Sequence, residues 1–297
     1  MGLRSNPSQR QRRLGEELRQ LREISGLSAT EAGAHASLGR AHMSHIETGR
    51  TAIPEDKLRT LARVYGCTSE SYVDALVAMS QANGRGWWSE YRHPPHSQSA
   101  RDLAELEASA VAHLSFQWIH VPGLLQTTDY MRVLFQGGQP DEDAETIDRY
   151  VDFRRRRQEI LTGESPPILH AVIHEAALHM GFVGADVMRR QIEHLVNMAR
   201  LPHVRIQILP FKASVYPARV STPFSLLKST VPLLNTVCVD HPTSSLFITT
   251  RPQIAQFTKA FEALRTVSLP PIDHRIEPEF HTKKDSLALI QHVLYTL

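Results

Sequence analysis

Two stretches of the chain set reactive side chains at helical spacing. The first is RAHMSHIETGR, residues 40–50. At about 100° per residue, Arg40, Ala41, Ser44, His45 and Thr48 share one arc, Met43 and Ile46 lie opposite, and Glu47 sits at the rim. One face must pack. The other offers a guanidinium fork, a hydroxyl, a gap and an imidazole, a donor set suited to base edges and phosphates in a groove about 12 Å wide. Any amphipathic helix with a polar outer face meets the same spacing. His45 there could tune affinity between about pH 5 and 8, or serve as a neutral hydrogen-bonding group.

The second stretch, HEAALH from His174 to His179, imitates a zinc-protease pair but fails on spacing. A helical zinc pair needs histidines one turn apart, whereas five positions turn through about 140°. Glu175 is expected to serve a strand-to-helix turn instead. The 16 histidines are scattered, and none has ligand spacing with a cysteine or carboxylate. The chain shows no glycine-rich phosphate loop, nucleophile elbow or cysteine–histidine context for a triad. The expectation is no enzyme, no metal and no cofactor.

Four consecutive arginines, Arg154 to Arg157, sit among Asp148, Asp152 and Glu159. On a helix they point around the whole axis. Arg156 can pair with Asp152 and Arg155 with Glu159, so an ion-paired surface is expected rather than a second basic stripe. The two cysteines, Cys67 and Cys238, are far apart in sequence and read as free thiols in a reducing compartment. No apolar run reaches the ~18 residues of a membrane span, and no signal peptide is evident. Met-Gly-Leu-Arg-Ser-Asn is a weak acylation-like start. A soluble cytoplasmic protein is expected.

The net charge of +2 is unevenly spread. Residues 1–85 hold 12 Arg/Lys and 9 Asp/Glu, hence +3, and the remainder holds 21 and 22, hence −1. Arg4, Arg10, Arg12 and Arg13 form a basic arm that could add phosphate contacts, or a solvated tail over Met1 to Ser8.

The elements that must position these residues follow from periodicity and caps. A helix over about 8–25 places Leu14, Leu18, Leu21 and Ile24 on one face. Ser28 and Glu31 make a capping box for a short helix, and Gly49 can end the next one in the left-handed conformation. Pro54 suits a first helical position, and a fifth helix runs from about Ser69 to Ala82. Asn83-Gly84-Arg85-Gly86 breaks the pattern. The organisation predicted is a five-helix all-α domain over 1–83, a linker over 84–98, and a larger α+β domain over 99–297. Trp87 and Trp88, in that linker, are expected to dock on the second domain, with ligand stacking as the alternative. That domain should open with a helix capped by Ser99 and reaching His113, followed by strand-like SFQWIHVP. Further helices are expected near 127–138, 141–161, 184–198, 252–267 and 285–297. Strands are expected at 168–173, 204–209, 224–227, 236–239 and 246–249.

Two resemblances cover nearly the whole chain. LGEELRQLREISGLSATEAG followed by MSHIETGR resembles the helix-turn-helix of phage-repressor-type (xenobiotic-response-element) regulators, matching from Leu14 to Tyr65 without a gap. It departs at Gly39, where the family usually has a Ser or Thr cap, and at Ala29, where a Gln often touches the backbone. The resemblance implies double-stranded DNA as partner and a homodimer. Arg40, Ala41, Ser44 and His45 would lie near base edges, and Ser28, Thr48 and Arg50 near the backbone. Arg22 and Glu47 would form a structural ion pair. LEASAVAHLSFQWIHVPGLLQTTDYMR, RRRRQEIL, IHEAAL, VMRRQIEHL, VRIQILP and DSLALI together resemble the C-terminal domain of actinomycete WhiJ-type, antitoxin-like regulators. Pro122, Gly123, Gln126 and Tyr130, in PGLLQT-x-x-Y, carry its most specific piece. That resemblance implies a small protein partner encoded nearby; a small-molecule effector is the alternative.

Overall fold

In a computed structural model of the chain, which describes residues 3–215, 222–241, 244–273 and 284–297, the first helix starts where local chemistry supplies a cap. Ser8 accepts from the Gln11 backbone N–H while the Gln11 side chain accepts from Ser8, and α1 spans Gln9–Ile24. Gly2, on which the acylation-like start rests, lies outside the described residues. Leu14 and Leu18 are buried, but Ile24, expected on the same face, is 73% exposed. The buried row stops before the helix does. Helix α2 (Ala29–His35) carries the Ser28–Glu31 box, and α3 (Arg40–Glu47) follows after a turn in which Ser37 has a φ of 52°. Then come α4 (Glu55–Val64) and α5 (Glu70–Gln81). Pro54 is the cap of α4 rather than its first residue, since its ψ of 149° is extended.

Helix α3 has only eight residues, too few to hold itself in water. It is held by close backbone approach. A Cβ on Gly15 of α1 would lie 2.5 Å from the Glu47 carbonyl oxygen and 2.6 Å from that of Ile46. Gly49, at φ +72°, ends α3, and a Cβ there would meet the Gln11 carbonyl oxygen at 2.7 Å. Beside this contact Arg22 grips Glu47 with Nε to Oε1 at 2.6 Å and Nη2 to Oε2 at 3.0 Å, and donates from Nη1 to the Leu27 carbonyl at 2.9 Å. The Glu47 hydrogen bonds raise the Arg22 pKa. Met43, Ile46, Leu58, Leu61 and Leu76 fill the core behind them.

Arg10, Arg12 and Arg13 of the basic arm are held by carboxylates. Arg13 is buried against Glu17 at 2.9 Å, and the Tyr72 hydroxyl also donates to Glu17. Arg10 pairs with Glu105 at 2.7 Å and Arg12 with Asp102 at 3.2 Å. Those two acids lie on α6 (Gln98–Ser109), whose Ala100 N–H is capped by Ser97 Oγ at 3.1 Å rather than by Ser99. Contacts divide the chain into one unit of residues 1–92 and 97–106 and a second of 93–96 and 107–297, with a division inside α6.

The second unit is built on a six-stranded sheet of order β3-β2-β1-β4-β5-β6. Its strands are β1 (Ala112–Gln117), β2 (Ile168–His174), β3 (Val204–Leu209), β4 (Phe224–Lys228), β5 (Thr236–His241) and β6 (Ser244–Ile248). His113, expected at a helix end, is inside β1, because that segment pairs with a strand on either side. Strands β1 to β3 are parallel and β4 to β6 antiparallel. The parallel half is connected through α7 (Thr128–Gly138), α8 (Ala144–Gln158) and α9 (Ala185–Met198); α10 (Arg251–Val267) and α11 (Ser286–Thr296) follow the sheet. This is an α+β domain with a mixed sheet, regular alternation being confined to its first half. One face packs Phe116, Val172, Phe224 and Val237 against Phe261 and Leu264 of α10. The other packs Ala171, Ile173, Ile206 and Ile208 against α9 and α11.

The α1–α3 contact predicts that Gly15→Ala lowers stability by roughly 1–3 kcal/mol, the cost of overpacking against rigid backbone. Gly39→Ser, in open space and at cap dihedrals, should instead add a few tenths of a kcal/mol. Denaturant titration of both variants checks the contrast. A second expectation concerns pH. Burial holds His113 and His170 below the free imidazole value, so the unfolded chain takes up protons first as pH falls. Their contribution is full above about pH 6.5 and is lost below it. Melting temperature should fall between about pH 7.5 and pH 5.5, and His113→Gln should flatten that slope.

Candidate nucleic-acid interface

Helix α3 turns its two faces as the wheel requires. Met43 and Ile46 are 0% and 2% exposed, whereas Arg40, Ala41, Ser44 and Thr48 are exposed and His45 is half-buried. Among the described residues the side chains of Arg40 and Arg50 have no hydrogen-bond or ion-pair partner, so both are available to a ligand. Thr48 differs. Its hydroxyl donates to the Ser44 carbonyl at 2.8 Å, which leaves only acceptor capacity.

At the start of α2 the capping box restricts what Ser28 can do. Its backbone N–H goes to Glu31 Oε2 at 2.8 Å, and its oxygen accepts from the Glu31 N–H at 3.2 Å. The hydroxyl proton is what remains for a phosphate. The Ser28 hydrogen bonds also lower the Glu31 pKa, keeping that carboxylate ionised. Helix α3, by contrast, has no side-chain cap, since Gly39 supplies none.

One residue of this surface, His42, escaped the sequence reading. His42 is exposed, about 60° beyond His45 around α3, and simple extension of the polar arc would have found it. Arg4 is tied down: its backbone N–H donates to the Arg50 carbonyl at 2.9 Å and Nη1 to the Gly49 carbonyl at 3.2 Å. Only the fold reveals that pairing. It sets the arm beside the turn that follows α3.

The other candidate residues lie elsewhere. Trp87 and Trp88 occupy a short 3-10 turn (Trp87–Glu90) that counts with the first unit. Their rings meet edge to face at 6.0 Å, and Trp87 meets Tyr91 similarly at 5.8 Å. Trp88 lines a recess of about 230 Å³ with Arg10, Asn83 and Gly84.

Pro122, Gly123, Gln126 and Tyr130 form a buried connection between β1 and α7. Its backbone is satisfied by amide side chains, as a buried loop demands. Gln126 Nε2 donates to the Val121 carbonyl at 2.7 Å, and Gln158 Nε2 donates to the carbonyls of Gly123 and Gln126 at 2.9 and 2.8 Å. Gln191 donates to the Leu125 carbonyl and accepts from the Thr127 N–H, both at 2.7 Å. The Tyr130 hydroxyl accepts from the Val121 N–H at 3.3 Å.

The arginine run is not the surface expected. Arg156 pairs with Glu159 at 3.4 Å on the outside, but Arg157 holds the buried Glu107 through two 2.7 Å bonds. Arg154 points inward, with Nη1 to Gln126 Oε1 at 2.6 Å and its guanidinium 4.3 Å from the centre of the Phe135 ring. Ile147, Val151, Arg154 and Gln158 continue one row of α8, a periodicity that could have placed Arg154 inside.

His174 Nδ1 accepts from the Ala176 N–H at 3.1 Å within the turn that follows β2, whereas Glu175 Oε2 accepts from the Phe211 N–H at 2.7 Å, in the segment after β3. Among the described residues no three of His, Cys, Asp and Glu are grouped to hold a metal ion, and no helix is long and apolar enough to cross a membrane. Cys67 is half-buried and Cys238 buried, both as free thiols, and burial pushes the latter up to about 12.

Residues 13–76 match the family described as a helix-turn-helix domain, the domain of a DNA-binding regulator. No curated protein and no solved structure matches the chain. Residues 100–275, more than half of the sequence, match the family described as a domain of unknown function (DUF5753). With this match lying behind a helix-turn-helix domain, the chain belongs to the DUF5753 family.

Proposed function

We propose that the protein is a sequence-specific transcriptional regulator that reads DNA with α3 and responds to a signal through its second domain. The observation that carries this reading is the unpartnered polar face of α3, Arg40, Ala41 and Ser44 with His45 at its edge, backed by buried Met43 and Ile46. Arg40 would reach a base edge bidentately, while Arg50, Ser28 and Arg4 would position the backbone. The protein would act as a homodimer, with recognition helices about 34 Å apart on one face of the duplex. Its seat would be the cytoplasm, and its role binding rather than catalysis.

The likeness to WhiJ-type regulators supports a small protein, encoded nearby, as the partner that modulates DNA occupancy. A small-molecule effector is the second reading, favoured by the inward arginine of α8. Copurification of the neighbouring gene's product supports the first; a copurified metabolite found by mass spectrometry supports the second.

Footprinting on the protein's own promoter tests the whole reading, with protection expected over two half-sites. Arg40→Ala should cost about 1–3 kcal/mol on the specific site and relax preference at one base pair. Arg50→Ala should weaken specific and random DNA alike and lower the salt dependence by about one ion. Equal losses on both DNAs for Arg40→Ala would remove it from base reading.

A further inference from the structure

Helix α8 leaves one cation unanswered. Arg157 is neutralised by Glu107, but among the described residues no carboxylate lies within ion-pair distance of Arg154. Of its three nitrogens only Nη1 is hydrogen-bonded, to Gln126; Nε is shielded from solvent without a partner. The unused Nε–Nη2 edge is the edge of a guanidinium that grips an oxyanion with two parallel bonds. Gly123 adjoins both guanidiniums: a Cβ there would stand 3.9 Å from Arg154 Nε and from Arg157 Nη2. Glu107 is the direct partner of Arg157, and Asp240 acts on both guanidiniums from further off. Burial and the neighbouring Arg157 lower the Arg154 pKa to about 10, so it is still charged at neutral pH.

The surroundings define the rest of a ligand. His120 lies within the electrostatic reach of Arg154, which with burial keeps the imidazole neutral. Phe182, 48% exposed, meets His120 at 6.0 Å and Tyr130 at 6.3 Å between ring centres. An unpaired buried donor without a structural partner is costly to a fold, and a site completed by a ligand explains its presence.

We propose that Arg154, Gln126 and Gly123 form a binding site for the carboxylate of a small organic molecule, whose apolar part would lie toward His120 and Phe182. With Glu107 and Asp240 close by to repel a second negative charge, one free edge matches a carboxylate better than a phosphate dianion. The site deepens the effector reading of the second domain, yet it is tested without DNA, so failure of DNA binding and failure of the site are separable.

The test is thermal melting of the full chain at constant ionic strength with sodium acetate, sodium benzoate, inorganic phosphate or sodium chloride. Acetate and benzoate should raise the melting temperature saturably, benzoate at lower concentration, while phosphate and chloride should not. Arg154→Gln should abolish the saturable rise, Arg154→Lys should weaken it at least tenfold in concentration, and Arg190→Gln, at an exposed pair with Asp129, should leave it unchanged. Should Arg154→Gln fail to fold, the lysine variant carries the test, because it keeps the charge and loses the fork. A purely structural Arg154 would lower the melting temperature equally with and without benzoate. That result, a response no greater than chloride's, or phosphate binding in preference to carboxylate, overturns the proposal.

Discussion

The helix-turn-helix half depends on a close approach of backbones. Helix α3 is too short to be stable alone, and its outward face carries little that would hold it in place. Gly15 lets α1 touch the last carbonyls of α3, and the Arg22–Glu47 fork fixes the rotation about that contact. With Met43 and Ile46 locked beneath, Arg40 and Ser44 are presented by a rigid element rather than by a loop. Exposure of the polar face of α3 is thus a consequence of how completely the opposite face is fixed.

The second unit meets a different constraint. Its connection from β1 to α7 runs through the interior, where each carbonyl and N–H needs a partner. Gln126, Gln158 and Gln191 supply these from three elements, and Tyr130 adds a fourth anchor. The PGLLQT-x-x-Y segment is therefore explained largely as architecture. Arg154 joins the same network through Gln126 but spends only one nitrogen on it, which separates it from the purely structural members.

Helix ends were legible wherever their chemistry is local. Ser28, Gly49, Thr127 and Asp285 cap or stop their helices with atoms only a few residues away. The strands of the mixed sheet were legible as short apolar runs, but their order was not, since partners such as Phe116 and Phe224 are far apart in sequence. His113 was misplaced because sheet pairing overrode a helical pattern. The arginine run misled for a related reason: charge count describes solvation only when the axis orientation is known, and Ile147 and Val151 set that orientation. Arg10 and Arg12 looked like a free arm because Glu105 and Asp102, which hold them, lie about ninety positions on.

Gly39 begins α3 without an oxygen to spare for the amides of the first turn. In the free protein, water must hydrate those N–H groups, whereas α2 is sealed by its own serine and glutamate. If α3 meets DNA as proposed, an incoming phosphate oxygen would complete a turn that the chain leaves open, linking folding to occupancy at this end of the helix. Exchange of the amide hydrogens at residues 40–42 would then report on the ligand as much as on the fold.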